Sequence, residues 1–326
     1  MKDNPIISVI IPVFNGAKHL RRSVESVFAC GFEDVEILLL NDGSTDGSSE
    51  IIAEYCNLHP NIVRSFSHEN IGVARTRNKG IELALGEYIL FLDQDDWFDS
   101  DYIDTFYRAI KDSGADVAVG GYRRPDAKGK IIMKRLLSGR GYYRFITAAA
   151  WGKIHRTAYL KENHIGFFDN KIGEDVVFSI QEATFGGTYA FVKYIGYNWF
   201  LNEESVSETE HKGFHESIGL FNFLEKLGSF DYGDKLIEEY FVLKSAFYYL
   251  MHSGRESAPE KYKEAYSEII GRVEESYPLF TKNRFLNFGL PGEPYKVRFA
   301  IFLLTMIHRM RITGLFAKMY CKGQEA

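Results

Sequence analysis

Residues 86–97 read GEYILFLDQDDW. An apolar, strand-like run stops abruptly at Asp93, Gln94, Asp95 and Asp96. Like charges this close repel one another, and burying them unpaired is costly. Either the strand ends at the surface, where water solvates the carboxylates, or something positive sits among them. Asp93 and Asp95, at i and i+2, can point to one side of an extended or turning segment. That spacing suits one hard divalent cation whose remaining positions go to water and substrate phosphates. A cation bridging two phosphates neutralises a leaving diphosphate, the costly charge in moving a group off a nucleotide. By itself the pattern leaves both readings open, the alternative being a solvated strand end with Asp96 or Asp99 capping the next helix.

Working outward, the first half of the chain alternates strand and helix signals. Ile7 to Val13 is a β-branched apolar run, and Leu20, Val24, Val27 and Phe28 then recur at helical spacing. VEILLL predicts a second strand, STDGSSEIIAEYC a second helix, NIVRSFS a third strand, GVARTRNKGIELAL a third helix and EYILFL a fourth strand. Continuous apolar strands separated by helices imply a mainly parallel sheet covered on both faces. Such sheets bind ligands beyond the carboxyl ends of their strands, where Asn15, Asp42 and Asp93 fall. After residue 115 the pattern is mixed, and beyond SVSETEHKGF it becomes helical. The expected division is therefore an α/β catalytic domain over 1–212 and a helical region over 213–326.

Composition narrows the class. The 326 residues are 45% apolar and 25% charged, the profile of a globular protein, and the net charge of −5 argues against nucleic-acid binding. Cys30, Cys56 and Cys321 have no paired spacing, so neither a disulfide framework nor a zinc site is expected. MKDNPIISVIIPV reads as a first strand and not a signal peptide, and no apolar run reaches the roughly 20 residues of a spanning helix. A cytoplasmic location follows as the expectation.

The carboxylates do not stand alone. PVFN follows the first strand, DGSTD the second, NIGVARTRNKG the third, and GEYILFLDQDD closes the series. In this order the motifs resemble those of the inverting family 2 glycosyltransferases, over residues 6 to about 208. The resemblance implies the GT-A fold, a UDP-sugar donor, and Mn²⁺ or Mg²⁺ as cofactor. It implies that Asp42 accepts an N–H from the base edge, that Pro12, Val13 and Phe14 frame the base, and that Arg77 reaches the diphosphate or sugar. Asn15, Asn70 and Gln94 join this donor-binding set. Asp93 would hold the ribose or donor sugar and share the metal with Asp95.

Inversion by direct displacement needs a base on the acceptor hydroxyl. IGEDVVF resembles the family's Glu-Asp motif, which makes Asp175 the base and Glu174 an acceptor-binding neighbour. From the residues alone, two acids favouring a helix N-terminus is an equal reading. AAWGKIHR resembles a segment beneath the donor sugar, giving Trp151 and Lys153 as further candidates, with His155 replacing the usual aromatic. YNWFLNEESVSE departs from the family pattern, because Trp199 and Phe200 occupy the place of a Tyr-Arg pair. Asn41 replaces a common Asp, and His211 is a candidate third metal ligand.

The tail, Tyr295 to Lys322, holds six Lys or Arg and no acid, with Arg311, Lys318 and Lys322 expected on one helical face. It reads either as a basic amphipathic helix lying on the inner face of an anionic membrane, as would suit a lipid-linked acceptor, or as a packing element against the catalytic domain or a second subunit of a homodimer. Two other readings rival a transferase acting on a glycan or lipid-linked acceptor. A nucleotidyltransferase would usually carry a Gly-rich loop after the first strand, where PVFNGAKHL has one Gly. An inactive nucleotide-sugar-binding partner in a polysaccharide assembly complex predicts loss of the carboxylates, and all are present.

Overall fold

The structure is a computed structural model that describes residues 5–136, 139, 142–146, 149–202, 213–214, 219–287 and 290–323. The chain divides into two compact units. The first comprises Met1–Gly139, Thr147–Asp169 and Glu174–Asn202; the second comprises Arg140–Ile146, Asn170–Gly173 and Glu203–Ala326. Two short segments of the middle region thus belong with the helical unit, an interleaving that one linear boundary does not express. Residue 212, the boundary expected from sequence, lies outside the described residues.

In the first unit the apolar runs form β1 (Ile7–Val13), β2 (Val35–Asp42), β3 (Val63–His68) and β4 (Tyr88–Phe91). Between them lie α1 (Leu20–Ala29), α2 (Ser48–Leu58) and α3 (Val73–Leu83). The short β5 (Trp97–Phe98), α4 (Tyr102–Ser113), β6 (Val117–Pro125) and β7 (Ile131–Arg135) follow. After α5 (Tyr143–Ile146), which belongs to the second unit, come β8 (Lys153–Arg156), α6 (Thr157–Glu162), α7 (Glu174–Thr184) and β9 (Tyr189–Asn198).

The strands form one sheet in the order β3-β2-β1-β4-β8-β6-β9-β5, with β7 beside β6. The β1–β2, β2–β3 and β1–β4 ladders are parallel, as the strand–helix alternation requires. Beyond β4 the expected parallel pattern changes. β8 runs antiparallel to β4 and β6, and β5 antiparallel to β9, while β6 and β9 are parallel to each other. The sheet is therefore mixed.

Alternation along β1 and β2 sends successive side chains to opposite faces. Ile7, Val9, Ile11, Ile37 and Leu39 pack with Leu20, Val24, Ile52, Tyr102 and Phe106 of α1, α2 and α4. Ile10, Leu38 and Leu40 pack on the other face with Ala74, Ile81, Leu160 and Phe178 of α3, α6 and α7. Gly80 lets α3 sit close, since a Cβ there would fall 2.5 Å from Ile10 Cγ2. Both faces are covered, which is why these strands read as unbroken apolar runs.

The second unit is helical: α8 (Leu220–Gly228), α9 (Lys235–Gly254), α10 (Pro259–Ser276), α11 (Tyr295–Arg309) and α12 (Thr313–Tyr320). Asp234 caps α9 by accepting from the Leu236 amide at 2.9 Å. Leu227, Tyr240, Leu243, Phe247, Tyr262 and Phe280 are fully or almost fully buried. The tail is not one helix. Arg311 takes a positive φ of 56° in the break between α11 and α12, and Lys322 lies beyond the end of α12. The single basic face expected from Arg311, Lys318 and Lys322 therefore does not form. Among the described residues no helix is long and apolar enough to cross a membrane.

Candidate active site

Strand register brings the polar loops together. Val13 pairs with Asn41, Asp42 with His68, and Ile10 with Phe91, so β1, β2, β3 and β4 finish at the same edge of the sheet. Phe14, just past β1, is 43% exposed. Pro12 and Val13 are buried within β1, so of the three residues expected to frame a base only Phe14 offers a surface. Val13 lies in the core beneath α1, α2 and α4, and Pro12 is buried beside it in the strand. Asn15 adopts φ 49°, a left-handed conformation that Asn tolerates better than most residues. Its Oδ1 accepts from the Thr45 amide at 2.8 Å. Ser48 Oγ takes the Gly16 amide at 2.9 Å and Asp46 the Ala17 amide at 3.0 Å. The DGSTD turn thus braces the loop after β1.

Gln94 closes this loop from the other side. Its amide accepts from the Phe14 N–H and donates to the Phe14 carbonyl, both at 2.9 Å. A Cβ on Gly16 would lie 2.2 Å from Gln94 Oε1. Asp42, only 3% exposed, takes the Ile71 and Gly72 amides at 2.7 and 3.0 Å, fixing the entry to α3. Asn70, on that loop, is exposed.

The acidic turn is clamped by a segment that sequence reasoning treated only as a departure. Tyr197 donates to Asp96 Oδ2 at 2.7 Å, and the Phe200 amide donates to Asp96 Oδ1 at 2.8 Å. Asn202 donates to Asp95 Oδ2 at 2.8 Å. Asp96 is thus a buried structural acid, its carboxyl held well above the usual range by burial and by Asp93 and Asp95. Asp99 pairs instead with Arg123 and Asn198. Neither Asp96 nor Asp99 caps α4, as the alternative reading of the turn required. Arg22, from α1, lies 4.0 Å from the Trp97 ring centre and 4.4 Å from that of Phe200, and donates to the Asp95 carbonyl at 2.6 Å. A guanidinium therefore reaches this turn from α1, although residue 200 is Phe. Helical periodicity placed Leu20 and Val24 inward but gave no signal for Arg22 or Asn202.

Arg77 is the centre of the arrangement. Only 4% exposed, it donates to Asp93 Oδ1 at 2.7 Å and to Asp175 Oδ1 at 2.9 Å, with Glu174 Oε1 at 3.7 Å. The resemblance aims this side chain at the diphosphate or sugar; in the structure its partners are Asp93, Asp175 and Glu174. Burial opposes its charge, but Asp175, Asp93 and Glu174 outweigh that and keep the guanidinium protonated. Burial pushes Asp175 up to about 7, against the lowering effect of Arg77 and with Glu174 and Asp93 adding to the rise. Glu174 and Asp95 are also raised, chiefly by burial. A carboxyl near 7, held by one cation at the start of α7, is suited to taking a proton at neutral pH.

Lys153 and His155 are not surface groups. Lys153 bonds Glu182 at 2.7 Å and Ser179 at 3.0 Å, and His155 Nδ1 lies 2.5 Å from Glu182 Oε1, all within the core. Trp151 stacks on Tyr197 at 4.6 Å. Asn41 holds the turn after β2 through Ser44 and Ser49. His211 lies outside the described residues.

Among the described residues no three potential ligands converge on a metal position. The chemistry of the donor set nevertheless suits a hard cation. Asp93 and Asp95 are each bonded through one carboxylate oxygen, to Arg77 and Asn202, which leaves the second oxygen of each. Burial, with Asp93 nearby, raises the Asp95 carboxyl. Two carboxylate oxygens with phosphate and water are a common set for Mg²⁺ or Mn²⁺.

Residues 8–172 match the family described as Glycosyl transferase family 2. Glycosyltransferase GlyA of Streptococcus pneumoniae is 32% identical over 189 residues, which are 52% of this chain and 27% of GlyA, so the chain spans about a quarter of that relative. The structure resembles S. aureus TarS 1–349 in complex with UDP-GlcNAc, with a TM-score of 0.64, 18% identity and coverage of 94% of this chain and 92% of the other. It also resembles the mannosyltransferase PcManGT of Pyrobaculum calidifontis in complex with GDP-Man and Mn²⁺, with a TM-score of 0.52, 15% identity and coverage of 98% and 88%. At these identities the two structures speak to the fold.

Proposed function

The chain belongs to glycosyl transferase family 2, and we propose that it moves a sugar, with inversion, from a UDP-sugar to a hydroxyl of a glycan or lipid-linked acceptor in cell-surface polysaccharide synthesis. It is a glycosyltransferase, and its fold is GT-A. The observation that carries the finer reading is the Arg77 bridge, one buried guanidinium bonded to both Asp93 and Asp175. It links Asp93 to Asp175, whose carboxyl burial pushes up to about 7.

In this reading Phe14 walls the base, Asn15, Asn70 and Gln94 shape its slot, and Asp42 uses its remaining lone pairs for a base N–H. The UDP-GlcNAc in the TarS complex supports a uridine donor, and the Mn²⁺ of PcManGT supports a divalent cofactor. Asp93 and Asp95 would hold that cation, Mn²⁺ or Mg²⁺, which when bound supplies positive charge to the departing diphosphate. Glu174 orients the acceptor. Asp175 takes the proton of the acceptor hydroxyl as its oxygen bonds to the anomeric carbon. The bond from that carbon to the phosphate oxygen breaks, and its electron pair leaves with UDP. Catalysis at the cytoplasmic face completes the proposal. Incubation with a panel of UDP-sugars, with and without Mn²⁺, tests it. Metal-dependent UDP release from at least one is expected, and turnover confined to GDP-sugars would refute the uridine assignment.

A further inference from the structure

The strongest surface feature that the transfer reaction does not use is the β6–β7 hairpin. Residues 127–134, AKGKIIMK, are all exposed. Ile131, Ile132, Met133 and Leu136 are 36%, 47%, 37% and 48% exposed, on a strand paired along one edge to β6. The ladder shifts register between Arg124, opposite Met133, and Pro125, opposite Ile131, so Ile132 is an extra residue in the strand and three consecutive apolar side chains, Ile131, Ile132 and Met133, are exposed together. Lys128, Lys130, Lys134 and Arg135 surround them in a chain whose net charge is −5. Within the hairpin's own stretch 126–136 the acid is Asp126, and its Oδ1 is taken up by the turn, accepting the Lys128 and Lys130 amides at 2.9 Å each. A further bond, Gly129 N–H to the Asp126 carbonyl at 2.9 Å, makes the tip a built turn and not a loose loop.

From this we propose that the hairpin is a seat for an anionic lipid bilayer, which docks the catalytic unit itself at a membrane surface. The charge of the tip matches an anionic surface, and each basic residue near such a surface strengthens attachment about fivefold. The apolar residues discriminate further. A free polyanion such as a charged glycan satisfies the lysines and leaves Ile131, Ile132 and Met133 in water. A bilayer interface covers them while the lysine stems extend to the headgroups. The inference goes beyond the transfer reaction and stands on none of its residues.

The test is co-flotation of the full chain with vesicles of phosphatidylcholine containing 30% phosphatidylglycerol. The expected result is binding that falls about a hundredfold in partition coefficient in the triple variant Lys128→Gln, Lys130→Gln, Lys134→Gln. A second variant, Ile131→Ser, Ile132→Ser, Met133→Ser, should also lose vesicle binding while its retention on dextran sulfate is unchanged. Both variants should keep wild-type UDP release in solution, which separates failure of this proposal from failure of the transferase reading. Wild-type protein that ignores the anionic vesicles overturns the proposal, as does a triple variant that floats like the wild type. A wild-type dimer in sedimentation that dissociates on the serine substitutions overturns it in favour of a second copy of the chain.

Discussion

Replacing Arg77 by Met should show how the site is held together. The substitution keeps much of the volume and removes the one guanidinium bonded to Asp93 and Asp175 and near Glu174. Breaking a buried ion pair by removing one partner costs about 3–5 kcal/mol, because the remaining charge is left uncompensated. With the cation gone, Asp175, already raised to about 7, rises further. The pH dependence follows from the sign of that change. A carboxyl whose folded value lies above its unfolded one keeps its proton in the folded state after the unfolded chain has released it. Stability then falls as pH rises from near 4 towards the folded value. Each unit of added rise is worth about 1.4 kcal/mol. The Arg77→Met protein should therefore be least destabilised at pH 5 and most at pH 8, where its melting temperature should sit about 10 °C below wild type. Thermal melts at pH 5, 6, 7 and 8 without nucleotide read this directly. A deficit that is constant with pH, or largest at pH 5, would refute the account of Arg77 as the cation holding the acids.

Asp95→Ala should abolish Mn²⁺-assisted UDP binding in calorimetry, since one remaining carboxylate holds a hard cation poorly; unchanged metal-assisted affinity would remove the metal assignment. Phe14→Ala should weaken UDP binding by about 1–3 kcal/mol, the usual worth of a base stacked on an aromatic ring, without altering the melting temperature. Equal UDP affinity in that variant would mean that Phe14 is not the wall of the base site. Lys153→Met should destabilise the protein by about 3–5 kcal/mol in denaturant unfolding, since Glu182 loses its buried ammonium partner. A variant as stable as wild type would show that Glu182 does not depend on the Lys153 ammonium.

The strands and helices of the first half were legible because both faces of that sheet are covered, which writes continuous apolar runs between helical periods. The antiparallel additions beyond β4 were not, because β8 and β5 are too short to carry a period. The acids of the site were legible as motifs at strand ends, but their partners were not. Arg77 could be read as a cation near the donor, and only the fold shows it bonded to Asp93 and Asp175, which is 98 residues away along the chain. Trp199 and Phe200 looked like losses, yet in the folded chain Arg124 stacks on Trp199 at 3.9 Å and Arg22 on Phe200 at 4.4 Å. The burial of Pro12 and Val13 was not legible in the motif, which names neighbours in sequence and not which side chains a strand encloses. The tail read as one helix because its apolar spacing continues through Met310–Ile312, where the backbone breaks.

The pH–rate profile of Asp175→Asn is the most direct test of the central claim. Asn keeps the size of the side chain and can still bond Arg77, but it cannot take a proton from the acceptor. Transfer from the donor found in the UDP-sugar screen should fall about 10²–10⁴-fold with UDP and metal affinities intact. Wild-type activity should decline as pH drops below about 7, where burial places the carboxyl of Asp175, and that acidic limb should be missing from the residual activity of the variant. Transfer by Asp175→Asn at near wild-type rate, with the acidic limb unchanged, would contradict the assignment of Asp175 as the base.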